Sequence, residues 1–386
     1  MARHPSRGAS ADEDRTPTVY DVADRASVSI ATVSRVLRTP DAVREATRAR
    51  VLDAVRDLGY VPSGNARALA GRKTGVIGLC FPGHDALEEQ DRPAPDPGGG
   101  VRVVDDRRRG AAPHSPNLYF DEVLRGAEVE AWRRGFALMV AAGRGPARDV
   151  IVNDIAGRVD GLAVLARTVS DDLLTHVARR LPVVLLADAA RTGAEPPDGL
   201  DHVSVDNAAG MQALVTHVVQ GLGVRDPGSV VYVAGPADSP DDAERQRGLF
   251  AALDAAGVDR SAVPHVRGDF RRDTADRAVT DLLAQRVPRA LVCANDQSAL
   301  GALDALRRRG LRVPDDVYVT GFDGLDVGRF TEPPLTTVAQ PMAELGRAAV
   351  RAVVDRLSDP GAPLLSARLP VEVLLRESCP PVDTRM

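Results

Sequence analysis

From residue 76 onward the chain runs twice through one pattern: a short apolar run, then a longer amphipathic stretch. In the first round the apolar runs fall at 76–81, 137–141, 161–165 and 183–187, with helices expected over 120–134, 147–156 and 171–180. After Val203-Ser204-Val205-Asp206-Asn207 the pattern restarts. Helix 208–221 leads to strand 230–234, helix 241–256 to a strand near His265, helix 273–286 to strand 290–293, and helix 297–309 to strand 317–320. Apolar runs alternating with helices imply parallel sheets covered on both faces. Two such units of similar size imply two lobes with a cleft, and ligands of such folds bind beyond the carboxyl ends of the strands.

Ahead of this body lie three shorter helical patterns with their own start and stop signals. Thr18 is an N-cap with Asp21 three residues on, and Val19, Val22, Ala23 and Ala26 form one apolar face. Ser29 caps a second helix whose inward residues are Val33, Val36 and Leu37. A third runs over about 44–58, with Val51, Val55 and Leu58 inward and Gly59 as its stop. Two short helices joined by a tight turn and supported by a third form the helix-turn-helix arrangement. The second helix opens Ser29-Ile30-Ala31-Thr32 and sets Ser34 and Arg35 opposite its apolar face. Hydroxyls and an arginine placed there suit base edges and phosphates in a major groove. On helix pattern alone, a three-helix domain that binds protein, or nothing, stays open.

Charge bears on that choice. The 386-residue chain carries a formal −5, but residues 18–73 hold ten basic and six acidic side chains, leaving +4 there and −9 elsewhere. A basic module on an acidic body confines phosphate attraction to one end. No apolar run reaches membrane-spanning length, and the first sixteen residues are polar, without the apolar core of an export signal. A cytoplasmic protein, on the nucleoid when bound to DNA, is expected. Cys80, Cys293 and Cys379 lie far apart, and the first two sit in apolar runs as reduced core residues.

The residues Asp21-Val22-Ala23, Val28 through Leu37, Thr47-Arg48, Leu58-Gly59-Tyr60-x-Pro62 and Ala66-Arg67-x-Leu69 give the match its specificity. This run resembles the amino-terminal domain and hinge of the lactose/galactose repressor (LacI/GalR) family. The resemblance implies DNA contacts at Thr18, Tyr20, Ser29, Ile30, Ala31, Thr32, Ser34, Arg35, Arg38, Thr47, Tyr60, Ser63, Ala66, Arg67 and Leu69. Leu69 matches a leucine that wedges into the minor groove, the device by which proteins unstack and kink a base step. Ile30 and Ala31 hold the positions that most often read bases, where apolar side chains meet thymine methyls; Arg35 reads as a guanine or a phosphate contact.

The resemblance continues through the body. It rests on Asn117-x-Tyr119-Phe120 with Gly126, Asp206-Asn207, Ala234-Gly235-Pro236, Arg245-x-x-Gly248 and Gly268-Asp269-Phe270. It also rests on Ala294-Asn295-Asp296 with Ala299-Leu300-Gly301, Val313-Pro314-x-Asp316-Val317, Gly321-Phe322-Asp323 and Pro333 through Val338. The implied fold class is α plus α/β: a three-helix DNA module and hinge helix, then a two-lobed, periplasmic-binding-protein-like core of parallel sheets. The implied division is a disordered tail at 1–17, the DNA module at 18–62, the hinge at 63–73, the core at 74–376 and a tail at 377–386. Within the core, the first lobe takes about 74–205 and 342–363, and the second about 206–341 and 364–376. Effector contacts are implied at Tyr119 and Phe120 in the first lobe, and at Arg245, Phe270, Asn295, Asp296 and Asp323 in the second. Carboxylates, amides and a guanidinium suit vicinal hydroxyls, and an aromatic face suits the C–H face of a sugar. Asn295-Asp296 reads equally as the N-cap of helix 297–309, and Phe270 equally as core.

The function implied is a sequence-specific transcriptional regulator, a repressor, whose operator affinity changes when a small polar ligand, a sugar or sugar derivative, binds. Its partners would be a pseudo-palindromic double-stranded operator, the effector and a second copy of itself. The last residues lack leucine heptads, so a homodimer without a tetramerising coiled coil is expected. The alternative is a solute-binding receptor using the same two-lobed core; the fused DNA module and missing export signal argue against it. No G-x-S-x-G, P-loop or strand-linked G-x-G-x-x-G occurs and the seven histidines show no paired metal spacing, so no catalytic residue, cofactor or metal is expected.

Three departures stand out. Residues 83–116 replace a short loop with a Pro- and Gly-rich insertion, expected to be a mobile surface segment with Arg107-Arg108-Arg109 solvated. Arg38 stands where asparagine is frequent. Gly64 lies inside the hinge helix, where glycine costs about 0.5–1 kcal/mol relative to alanine, so the hinge is expected to form only on the operator.

Overall fold

A computed structural model describes residues 17–38, 40–60, 73–82, 118–143, 148–166, 168–187, 200–223 and 226–379. The expectations for the leading tail, for the hinge with Ser63, Ala66, Arg67 and Leu69, and for the insertion at 83–116 lie outside the described residues. The chain divides into two units, residues 1–74 and 75–386.

The first unit holds α1 (Val19–Ala26), α2 (Ile30–Arg38) and α3 (Glu45–Leu58). Thr18 closes a reciprocal cap on α1: its N–H donates to Asp21 Oδ2 at 2.7 Å, and the Asp21 N–H donates to Thr18 Oγ1 at 3.5 Å. Ser29 caps α2 by accepting the Thr32 N–H at 3.2 Å. Gly59 ends α3 in the left-handed conformation, φ 61°. Val22, Ala23, Ala26, Val33, Val36, Val51 and Ala54 form the core. Ala54 takes the buried place expected of Val55, which packs at the margin with Leu37 and Leu58.

The second unit contains two six-stranded sheets. The first, in the order β11-β5-β4-β3-β1-β2, uses β1 (Val76–Pro82), β2 (Ala137–Gly143), β3 (Gly161–Leu165), β4 (Val183–Leu186), β5 (Asp201–Val205) and β11 (Ser366–Leu369). Every pairing in it is parallel. Helices α4 (Leu118–Arg133) and α11 (Met342–Ser358) cover one face, and α5 (Arg148–Ala156) and α6 (Asp171–Ala178) the other. The second sheet, β12-β10-β9-β8-β6-β7, uses β6 (Val230–Ala234), β7 (His265–Arg267), β8 (Ala290–Cys293), β9 (Tyr318–Asp323), β10 (Thr336–Ala339) and β12 (Glu372–Leu374). Among the described residues, only the β10–β12 pairing is antiparallel. It lies between α7 (Asn207–Leu222) with α8 (Pro240–Ala255) and α9 (Arg272–Gln285) with α10 (Asp296–Arg308).

Helix pairs on these sheets meet backbone to backbone at glycine. A Cβ on Gly126 of α4 would overlap the Ala343 carbonyl of α11, one on Gly248 the Ala208 carbonyl, and one on Gly301 the Arg272 carbonyl. These motif glycines are therefore packing residues.

Two expected boundaries change. The chain was expected to return to the second lobe at 364, but β11 pairs with β5 in the first sheet, and the crossing comes only after Leu369. The last tail was expected to start at 377, yet Ser378 and Cys379 are buried. The Ser378 hydroxyl accepts from the Thr336 N–H at 2.8 Å and donates to the Val319 carbonyl at 2.6 Å. Edge backbone groups near β9 and β10 need partners, and this segment supplies them.

Candidate functional site

Two surfaces carry the expected site residues. In the helix-turn-helix unit, Tyr20 is 64% exposed and Ile30 39%; Ser29, Ala31 and Arg35 are exposed as well. Thr18, Thr32, Ser34, Thr47 and Tyr60 are half-buried. Arg38 ends α2, and its side chain lies outside the described residues. The exposed set follows from the helical period: burying Val33 and Val36 turns Ile30, Ala31 and Arg35 outward. The Ser29 hydroxyl lies 2.9 Å from that of Thr32, so capping already organises this helix start.

The second surface lies at the carboxyl edges of the sheets. Arg245 projects from α8 and is 3% exposed. Its Nε donates to Asn207 Oδ1 at 2.8 Å and its Nη1 to the Ala294 carbonyl at 2.7 Å, with Nη1 also 3.7 Å from Asp323 Oδ1. The guanidinium lies 3.9 Å above the Phe322 ring and 5.5 Å from that of Phe270. Two of its five N–H groups are thus committed to hydrogen bonds.

Asp323 ends β9 with φ 129°, and Asp269 and Phe270 beyond β7 have φ 53° and 59°. Three non-glycine residues in this region mark stored strain of about 1–3 kcal/mol each, a pattern that gathers at ligand-handling sites. Gln340 Nε2 donates to Asp323 Oδ1 at 2.7 Å. Burial pushes the Asp323 carboxyl up to about 8; the Arg245 charge opposes that rise, and the carboxylate of Asp296 adds to it.

Asn295 takes the capping role: its Oδ1 accepts the Ser298 N–H at 2.9 Å, and its Nδ2 donates to the Phe270 carbonyl at 3.3 Å. Asp296 is fully buried, with Oδ1 accepting from Thr337 Oγ1 at 2.6 Å and Oδ2 from the Leu325 N–H at 2.7 Å. Burial raises its carboxyl to about 6 against those hydrogen bonds. Both oxygens being occupied, Asp296 braces the ends of β9 and β10. Phe270 is half-buried, its ring filling the space a Cβ on Gly235 would need.

From the first sheet's side, Tyr119 and Phe120 lie in the first turn of α4. Phe120 stacks on Phe81 at 5.0 Å and meets Tyr119 edge-on at 5.5 Å. The Tyr119 hydroxyl is buried without a hydrogen-bond partner among the described residues. Burial and then the charges of Asp241 and Asp323 push its pKa well above the usual range, while Arg245 pulls it back. All seven expected effector residues therefore gather in one place, with Tyr119 within electrostatic reach of the Arg245–Asp323 pair.

Comparison with known proteins bears directly on this assembly. Residues 18–63 match the model of the bacterial regulatory proteins of the lacI family, and residues 219–379 match a periplasmic binding protein-like domain. The HTH-type transcriptional repressor CytR of Escherichia coli K12 is 30% identical over 370 residues, covering 95% of this chain and 97% of CytR. The chain belongs to the lacI family. Among its other members, the HTH-type transcriptional regulator CelR of Thermobifida fusca is 32% identical over 368 residues, covering 94% of this chain and 98% of CelR. Of solved lacI-family structures, the Lac repressor dimer bound to operator and the anti-inducer ONPF superposes with TM-score 0.73 at 26% identity, covering 94% of this chain and 99% of that one. A CelR–cellobiose complex superposes with TM-score 0.63 at 30% identity, with the same coverage. No helix among the described residues is long and apolar enough to cross a membrane.

Sequence reasoning missed several residues of this lacI-family cleft. Asn207 is fully buried, holds Arg245 and donates from Nδ2 to Asp241 Oδ1 at 2.8 Å. Gln340 holds Asp323, and Phe322 lies under Arg245. Asn207 belongs to the Asp206-Asn207 pair, and a polar residue at a strand-to-helix junction was its available signal. Gln340 had only the polar break after 336–339.

Proposed function

We propose that this protein is a DNA-binding transcriptional repressor whose operator affinity is changed by a small polar ligand held between Tyr119, Phe120, Arg245, Phe270 and Asp323. The observation that carries the ligand half is the buried, unpartnered Tyr119 hydroxyl beside a preformed Arg245–Asp323 pair. A buried polar group without a partner costs roughly 1–3 kcal/mol, which a ligand hydroxyl would recover. A polyhydroxylated ligand fits the chemistry: it donates to Asp323, accepts from Arg245 and Tyr119, and lays a C–H face on Phe270 or Phe120. The relative CelR is seen with cellobiose, which supports a sugar or sugar derivative here. Asn295 and Asp296 shape the pocket from behind.

The DNA half is supported by the exposed row Tyr20, Ile30, Ala31 and Arg35 on a capped two-helix unit. Two copies would place two such units on a pseudo-palindromic operator, in the cytoplasm and on the nucleoid. Ser63, Ala66, Arg67 and Leu69 complete the proposed DNA contacts, with Leu69 as the wedge.

The test is a thermal-shift screen of the full chain against cellobiose, D-ribose, other sugars, polyols and nucleosides. A ligand of the folded state raises the midpoint by mass action. The expected result is a shift that shrinks in Tyr119→Phe and then alters binding to an operator selected from random DNA. A chain that selects no DNA sequence would refute the repressor reading; a screen without shifts would refute the ligand half alone.

A further inference from the structure

Three short segments carry the chain between the two sheets: 206 between β5 and α7, 340–341 between β10 and α11, and 370–371 between β11 and β12. Each is tied by a side chain to the Arg245–Asp323 site. At the first, Asn207 accepts from Arg245 Nε at 2.8 Å. At the second, Gln340 donates to Asp323 at 2.7 Å. The third tie runs through an intermediate: Arg368 on β11 donates from Nη2 to Glu244 Oε1 at 3.4 Å, and Asn207 Nδ2 donates to Glu244 Oε2 at 3.4 Å. Arg368 Nη1 also lies 4.0 Å from Asp206 Oδ1.

The chemistry of this chain fixes how these ties are joined. The Asn207 amide has a fixed sense, because its carbonyl faces the Arg245 N–H and its amine faces the carboxylates of Asp241 and Glu244. A flipped amide would oppose like polarity on both sides. Glu244 is buried, yet its Oε1 is shared between two cations of different lobes. Arg247, on the same helix α8, donates to it at 2.8 Å, and Arg368, on the first sheet, at 3.4 Å. One partner moves with the second lobe and the other with the first. Any rotation about the crossings changes the Arg368 contact and leaves the Arg247 contact intact.

We infer that Asn207, Glu244 and Arg368 form an interlobe tether, in which the Arg368–Glu244 contact holds the angle between the lobes while Arg247 keeps the carboxylate in place on α8. A ligand that engages Arg245 shifts the Asn207 amide, and with it the carboxylate that Arg368 reaches from the other lobe. The Arg368–Glu244 contact, made at one lobe angle and lost at another, is the two-state element that coupling between sites requires. Asn207, Glu244 and Arg368 are thus positioning residues. Their purpose rests on the proposed effector site, but the tether exists, and is tested, without any ligand.

The experiment is single-molecule energy transfer in full-length protein labelled at Asp172→Cys on α6 and Asp281→Cys on α9, both exposed and one per lobe. The cysteines at 80, 293 and 379 are buried and stay unlabelled. Labelled chains are diluted into excess unlabelled protein, without ligand. Arg368→Gln should shift or broaden the efficiency distribution, Arg368→Lys should largely restore it, and Arg368→Gln with Glu244→Gln should do no more than the larger single change. Salt at about 1 M should move the wild type toward Arg368→Gln and leave that variant unchanged. Arg368 is half exposed, so its variants test the idea even where Glu244→Gln folds poorly. Superimposable distributions for wild type and Arg368→Gln would overturn the tether, as would a lowered melting midpoint with an unchanged distribution. Cellobiose and D-ribose, added separately, probe the effector reading, so each idea has its own failure.

Discussion

On the second-lobe side of the cleft, the charged groups are held before any ligand arrives. Arg245 has Asn207, the Ala294 carbonyl and Asp323; Asp323 has Gln340; Asp296 has Thr337 and the Leu325 N–H. On the first-lobe side, Tyr119 and Phe120 offer ring surface and one buried hydroxyl without a partner. The contrast assigns different work to the two walls. The second lobe carries preorganised polarity and its strain, while the first offers packing area and a donor that a bound group would satisfy.

The sharpest way to break that contrast is to remove a charge from the braced wall. Above about pH 8, where Asp323 is ionised, Asp323→Ala leaves Arg245 buried beside a missing counter-charge, and breaking such a pair costs roughly 3–5 kcal/mol. Urea unfolding should show a loss near the lower end, since Ala294 and Asn207 still hold the guanidinium; a loss under about 1 kcal/mol would deny the pair its role.

Gly321→Ala comes next. Its Cβ would enter the space of Asp296 Oδ1, so overpacking should cost about 1–3 kcal/mol and disturb the Thr337 and Leu325 bonds. A stability equal to wild type would show that the brace yields.

The third test uses pH. Burial raises Asp323 to about 8 and Asp296 to about 6 from an ordinary 3.8, so between about pH 4 and 8 the native chain holds protons that the unfolded chain has released. Stability therefore falls as pH rises through that window, opposite to the behaviour of a carboxylate whose pKa is lowered by folding. From pH 6 to 8 the loss should be roughly 2 kcal/mol, and it should flatten in Asp323→Asn. A stability that rises over this range would reverse the assignment.

The unbraced wall should respond least. Tyr119→Phe removes a hydroxyl that bonds nothing among the described residues, so ligand-free stability should stay within about 0.5 kcal/mol of wild type or increase. Affinity for whichever sugar shifts the wild-type midpoint should nevertheless drop, as titration calorimetry would show. A large stability loss in this variant would erase the difference between the walls.

Sequence alone placed most of the elements because their signals are local. Thr18 with Asp21, Ser29 with Thr32, and Gly59 cap α1, α2 and α3 as expected, since caps are settled within one helical turn. The strands at 161–165, 230–234 and 290–293 lie where the apolar runs put them. Val55 and Ala54 changed places because the phase of a short helix depends on what it packs against.

What the tertiary structure decided is partnership across sequence distance. Asn207 and Arg245 are joined by folding, as are Asp323 and Gln340, Glu244 and Arg368, and Ser378 and Val319. A periodicity marks which face is buried and is silent about which polar atoms meet there. β11 joining the first sheet and β12 the second follows the same rule, because runs as short as Ser366–Leu369 and Glu372–Leu374 fit either edge by pattern. The residues fixed the elements and the chemistry available; the meeting of strand ends fixed which groups became a site. Hydrogen bonds and ion pairs act over a few ångströms of space, whatever their separation along the chain.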